Sequence, residues 1–363
     1  MNRKYLRGLM AAALLAGPLA VAGCSGDEPA GSQPPAAGQT GPAAEPSPAA
    51  PAKAEEITLA FAGDVHFTER TARLLANPAT AFGPVAEVFK SADYAMVNLE
   101  TAVTTGGKAE PKQYHFRTPP TALEAVKAAG VDIVSSANNH TLDYGQTGLS
   151  DTLANIKSAG LPMVGAGKNA AEAWAPYIAD VKGHKVAFIG ISQVWELAST
   201  WIAKDNRPGL AIASDVQRSV DAVKAAKAQA DLVVVYMHWG QEGNQCAISD
   251  QKTFAKKLSD AGADIIVGTH SHVLHGDGYL GKTYVAYGLS NFLWYRDDAM
   301  SNDTGVLKVT VRAGKVSRTE FVPASISRTT GQPVPVTGAE KDRIAAKYAK
   351  LRGCTGLAAA PAA

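Results

Sequence analysis

Cysteine is scarce in this chain, three among 363 residues. That excludes a disulfide-dense scaffold, and no cysteine sits in a pattern suited to redox catalysis or zinc binding. A surplus of either charge is also lacking: 35 Lys and Arg face 33 Asp and Glu, a formal net charge of +2. Arg3, Lys4 and Arg7 lie in a segment expected to be removed, and without them 32 basic residues face 33 acidic ones. With no basic surplus and no recognition motif, nucleic acid is excluded as a partner. No apolar run is long enough to cross a bilayer; the stretch from Gly8 to Ala22 falls short of the roughly 20 residues a spanning helix needs. What remains is an ordinary balance, 46% hydrophobic and 19% charged, able to build a substantial core.

The N-terminus joins a basic start to that apolar run and then to small residues, the pattern of an export signal. Val21-Ala22-Gly23-Cys24 resembles a bacterial lipoprotein box, cleaved before Cys24, which is then lipidated. The other reading is a secretory signal with a chance cysteine. The first makes residues 1–23 a lipoprotein signal peptide and places the protein on the outer face of the cell membrane, held by acyl-chain burial. Residues 24–54 are rich in Pro, Ala and Gly, lack apolar periodicity and are expected to be a disordered tether. In an exported, disulfide-permissive setting Cys246 and Cys354 either bridge, tying the C-terminal tail to the loop after "HWG", or stay free thiols.

From Glu55 onward, short apolar runs alternate with helical patterns. "ALEAVKAAG" leads into "VDIVSSA", "VQRSVDAVKAAKAQA" into "DLVVVYMHWG", and "QKTFAKKLSDAG" into "ADIIVGTH". The runs have the continuous β-branched character of buried central strands. "GVLKVTVRAGKVSRTEFVPASI" predicts two antiparallel strands about the turn "RAGK". The expected fold class is α/β: a layered domain over 55–335 with central β-sheets flanked by helices, then a C-terminal helix and tail over 336–363.

Nearly every predicted strand runs into a polar cluster at its C-terminal end. Asp64 and His66 follow "ITLAFAG", Asn98 and Glu100 end "YAMVNL", and Asn138, Asn139 and His140 follow "DIVSSA", with Asp143 close behind. His238 ends "LVVVYM", and His270 and His272 follow "DIIVG". Ligands of open α/β sheets gather beyond the carboxyl ends of strands. Nitrogen and oxygen donors without a thiolate suit manganese, iron or zinc. His66 or His238 alone would be an ordinary buried histidine, and Asn139 alone a turn or cap. Convergence on one edge is what argues for metal. His275 lacks a strand-end partner and is expected near the site or at the surface, while His115 and His184 are expected not to bind metal.

"AGDVHF", "VNLET", "FRTPP", "ANNHTLDYG", "HWGQE", "ADIIVGTHSHVLHG" and "YGLSNFLW" together resemble the CapA family of capsule or poly-γ-glutamate synthesis proteins, from about Ile57 to Asn291. The resemblance implies a metallophosphoesterase-like, calcineurin-type fold and two divalent metal ions. It implies Asp64, His66, Glu100, Asn139, His238, His270 and His272 as ligands, with Glu100 bridging where an ordinary metallophosphoesterase has an aspartate. His140, oriented by Asp143, would protonate the departing oxygen. Two positions depart from the superfamily pattern: Asn138 stands where glycine is usual before Asn139-His140, and Asp143 lies three residues after the histidine. Arg117 would hold an anionic group or is a surface arginine; Asn291 would order a loop beside the site or caps its turn. The implied partners are an anionic cell-surface polymer or its precursor and a membrane synthase or export complex. Two functions remain open: a surface-anchored hydrolase, or a polymer-binding export accessory without turnover.

Overall fold

A computed structural model describes residues 55–362. The expected signal peptide, the tether and Cys24 lie outside the described residues. Two sheets form the centre. Buried Val- and Ile-rich runs give β1 (Ile57–Val65), β2 (Tyr94–Leu99), β3 (Ile133–Ser135) and β4 (Met163–Val164), all parallel neighbours in that order. The chain then builds a second sheet from β5 (Tyr177–Val181), β6 (His184–Ser192), β7 (Leu232–Trp239), β8 (Ile265–His270), β9 (Asp277–Leu280) and β10 (Thr283–Ala286). Its order is β9-β10-β8-β7-β6-β5, parallel at its centre and antiparallel at both edges.

The first sheet is completed by β11 (Asn291–Leu293), β12 (Asp303–Arg312), β13 (Lys315–Ile326) and β14 (Pro333–Pro335). Its order is β14-β13-β12-β1-β2-β3-β4, with β11 also paired to β1. Strands β12 and β13 are the expected antiparallel pair. Their turn holds Ala313 and Gly314 both at positive φ, the twist that closes a tight hairpin. The β5–β6 hairpin goes beyond what the sequence suggested. Its flanks lack a long apolar run at one end, and only the turn Lys182-Gly183, again both at positive φ, marks it.

Alternation along the strands sorts side chains between layers. Ile57, Leu59 and Phe61 of β1 meet Val234 and Tyr236 of β7 and Ile265 and Val267 of β8 in one apolar layer between the sheets. The opposite faces carry helices. Ala60, Val97 and Val134 pack with α1 (Thr121–Ala128) and the end of α2 (Gly145–Ser158). Val233, Val235 and Ile266 pack with α3 (Val216–Lys227) and α4 (Ser249–Ala261). The result is the layered α/β fold, central sheets flanked by helices, that the resemblance implies. Helix α5 (Gly338–Leu351) lies on β13, where Tyr348 stacks on Phe321 at 4.0 Å.

Beyond α5 the tail is fastened to the second sheet. Cys354 is bonded to Cys246, with Cα atoms 5.5 Å apart and a sequence separation of 108. Arg352 pairs with Asp277 at 2.8 Å. Tyr279 and Ala358 exchange N–H···O bonds of 2.8 and 2.9 Å, so the tail pairs with edge strand β9.

Candidate metal centre

The carboxyl ends of β1, β2, β3, β7 and β8 meet at one edge, and alternation alone brings part of the site there. Tyr94 and Met96 face the layer between the sheets, so Asn98 does too; Val234 and Tyr236 do likewise, so His238 follows. Asp64 is out of step with Ile57, Leu59 and Phe61. A register irregularity between Phe61 and Asp64 turns it inward. His270 is out of step with Ile265 and Val267, and its backbone turns at φ 85°. His272 and Ser290 also hold left-handed backbones, φ 58° and 64°. Non-glycine residues in that region are costly and concentrate at functional sites. Gly63 lets β1 approach the Ser290 carbonyl, which a Cβ there would meet at 1.8 Å.

Glu100 is the centre of the cluster. It is fully buried, and neither carboxylate oxygen has a hydrogen-bond partner. It belongs to two sets of donor atoms lying within 4.8 Å of one another: with His238 and His270, and with Asp64 and His272. Burial and the neighbouring Asp64 charge push its carboxyl well above the usual range. A buried carboxylate without partners is costly unless a cation compensates it. Burial holds His238 down at about 3 and His270 low, so both rings stay neutral, the form that ligates metal. His270 Nδ1 is buried and unpartnered. The donors present therefore fit a divalent cation.

The surrounding bonds fix these donors. Asn98 Nδ2 donates to Asp64 Oδ1 at 2.8 Å, and Asn138 Nδ2 donates to Asn98 Oδ1 at 3.0 Å. The His270 N–H donates to Asp64 Oδ2 at 3.2 Å. His238 Nε2 lies 2.8 Å from Asn139 Oδ1 and 3.5 Å from Glu100 Oε1, while its Nδ1 meets Thr269 Oγ1 at 3.0 Å. His272 Nδ1 lies 2.7 Å from Asn291 Oδ1 and 3.6 Å from Asp64 Oδ2. Burial would lower His272, but its close contact with the Asp64 carboxylate and the Glu100 charge raise it to about 9.

His140 stands beside the cluster, its Nε2 3.9 Å from Glu100 Oε1. Its Nδ1 lies 2.6 Å from Asp143 Oδ2, which also accepts the Phe116 N–H. Burial raises the Asp143 carboxyl to about 6, against the pull of Lys112. Lys112 escaped the sequence reading, since a lone lysine in "AEPKQYH" carries no signal. Its buried ammonium lies 2.9 Å from Asp143 Oδ1 and 3.0 Å from Glu196 Oε2, and it donates to the Asn139 carbonyl.

Two expected site residues stand apart from the donor sets. His66 is buried between aromatic rings, stacked on Phe116 at 4.3 Å and edge-on to Trp294 at 4.4 Å. Its Nε2 is unpartnered, but it joins none of the close carboxylate–imidazole groups. Arg117 is not brought to the cleft: its guanidinium lies over Tyr144 at 4.2 Å. Asn291 does line the cleft, and it orients His272. His275 is buried, not at the surface, with Nε2 bonded to the Asn244 carbonyl at 2.6 Å. His115 and His184 bond to the carbonyls of Glu110 and Glu55. Glu242, missed in sequence, reaches the rim and groups with His270 and His272. The cleft above the donors, about 300 Å³, is walled by Tyr114, Phe116, Trp294, Tyr295 and Arg296.

Residues 58–296 match the family described as bacterial capsule synthesis protein PGA_cap. The chain is 31% identical over 283 residues to the PGA biosynthesis protein CapA of Bacillus subtilis (strain 168), covering 77% of this chain and 74% of that one. It is 32% identical over 300 residues to the capsule biosynthesis protein CapA of Bacillus anthracis, covering 80% and 72%. Among solved structures it is similar to a hypothetical protein from Thermus thermophilus, with a TM-score of 0.50 and 17% identity over 77% of this chain and 100% of that one. The chain belongs to the bacterial capsule synthesis family of CapA proteins.

Proposed function

We propose that this CapA-family protein is a lipid-anchored accessory of capsule or poly-γ-glutamate synthesis, on the outer face of the cell membrane, that hydrolyses a bond in an anionic polymer or its precursor. The observation that carries the reading is Glu100, a buried carboxylate with no partner, shared by two sets of donors. One ion would take Asp64, Glu100 and His272. The other would take Glu100, His238, His270 and the Asn139 side-chain Oδ1. Manganese, iron and zinc suit these donors. Such ions, when bound, polarise the bond to be broken and make water a stronger nucleophile.

The protein's own groups do the rest. Asp143 accepts from His140 Nδ1 and leaves Nε2 facing the cleft as an acceptor, where it takes a proton from the attacking water and passes it to the departing atom. Lys112 holds Asp143 in place and fixes the Asn139 main chain. Phe116, stacked on His140 at 3.9 Å, keeps water from one face of the imidazole. Cys24 in its lipoprotein box supports the anchor, and a synthase or export complex in that membrane is the expected partner.

The test is metal content of the purified full chain by elemental mass spectrometry, beside a Glu100→Ala, His238→Ala double variant. About two equivalents in the parent and loss in the variant are expected, followed by turnover in a phosphoester and amide hydrolase screen. A parent that stays empty after loading with manganese, iron and zinc would overturn the hydrolytic reading and leave a polymer-binding accessory.

A further inference from the structure

The cleft above the metal centre is lined in part by Arg296. Among its lining residues only Arg296 is a lysine or arginine, while Glu242 and Asp298 are acids. The Arg296 guanidinium lies over the Tyr114 ring at 4.7 Å and the Tyr295 ring at 5.2 Å. Ring faces attract a cation without neutralising it. The adjacent acid, Asp297, is engaged elsewhere, 3.5 Å from Arg328 and 2.7 Å from Asn302. The main chain under Arg296 is held as well: Arg70 donates to the carbonyls of Trp294, Arg296 and Arg328. An exposed guanidinium that rests on two rings beside the cleft, with no carboxylate partner among the described residues, is free to take an anion there.

Resting on the hydrolytic reading above, we infer that Arg296 sets the substrate class: the ligand carries an oxyanion, a carboxylate or a phosphate, beside the bond presented to the metal centre. A planar guanidinium takes either oxyanion through two parallel hydrogen bonds. Glu242 and Asp298 repel the same group, so the charge has one favourable place in the cleft. Arg296 thus fills the part the sequence suggested for Arg117, whose guanidinium rests on Tyr144. No motif could have shown this, because Arg296 gains its place only when the segment after β11 folds back over the strand ends.

The experiment is calorimetric titration of the full chain with three probes: a γ-linked glutamate oligomer, the same oligomer with its α-carboxylates converted to amides, and phenyl phosphate. Parent, Arg296→Gln and Arg296→Lys are compared, with metal content recorded for each. The parent is expected to bind at least one charged probe and to discriminate against the amide form. Arg296→Gln should weaken that binding about 10- to 100-fold, the range for a charge-assisted bidentate contact. Arg296→Lys should fall between them, and metal content should be unchanged. Preference for the oligomer assigns a carboxylate and preference for phenyl phosphate assigns a phosphate; either supports the inference. Equal binding by parent and Arg296→Gln overturns it, as does a metal-loaded parent that binds neither charged probe. A parent without metal would instead overturn the hydrolytic reading.

Discussion

The same strands end in two different materials. Toward their middles β1, β7 and β8 contribute Leu59, Phe61, Val234, Tyr236, Ile265 and Val267 to an apolar layer in which the Tyr236 hydroxyl donates to the Ala62 carbonyl. Two or three residues further on they present Asp64, His238 and His270, also buried and clustered with Glu100. In the first region burial stabilises the fold by removing apolar surface from water. In the second it works against stability, because Glu100 has no partner. The fold carries a destabilising cluster at the edge of its best-packed layer, as a site organised for a ligand requires.

The largest expected effect, complete loss of metal, separates the two regions outright. Glu100→Met should abolish metal uptake in a loading assay, yet raise the unfolding free energy of the metal-free protein by about 1–3 kcal/mol, since an unpartnered buried carboxyl is removed. A metal-free Glu100→Met that is less stable than the metal-free parent would break the comparison. Lys112→Met should cost about 3–5 kcal/mol, measured by urea unfolding, because Asp143 loses its buried partner.

A pH series sharpens the contrast further. Burial depresses His275 from 6.5 to about 4, so the native state resists the proton that the unfolded chain accepts. The stability it supports is full above about pH 6.5 and is lost as pH falls toward 4, by about 2 kcal/mol at pH 5. His275→Gln should remove that part of the slope in urea midpoints taken at pH 7.5 and 5. Smallest is the apolar control: Ile265→Val should cost about 1 kcal/mol in unfolding and leave metal content unchanged.

Most of the strands and helices were legible because their apolar runs and periods are strong. Part of the site was legible for the same reason, since Asn98 and His238 continue the alternation of β2 and β7. Asp64 and His270 were legible as residue types at strand ends, but their direction was not. A register irregularity turns one and a left-handed backbone turns the other, and neither leaves a mark in composition or period. Lys112, Glu242 and Arg296 come from loops, where no periodicity says which side chain will fold back over the cleft. Arg117 shows the converse: its neighbours "FRTPP" fit the family pattern, yet its side chain settles on Tyr144.

The tail fastened along β9 has a consequence that concerns molecules in the plural. A bare strand edge is a template on which another chain can add itself. Here Ala358 occupies the Tyr279 main-chain groups and the Ala362 N–H takes the Gly281 carbonyl, with Cys354 and Arg352 holding the segment in register. The last dozen residues thus act as a built-in chaperone for the sheet's border. Clipping them, or reducing the disulfide that holds them, would open the Tyr279 and Gly281 main-chain groups to another strand.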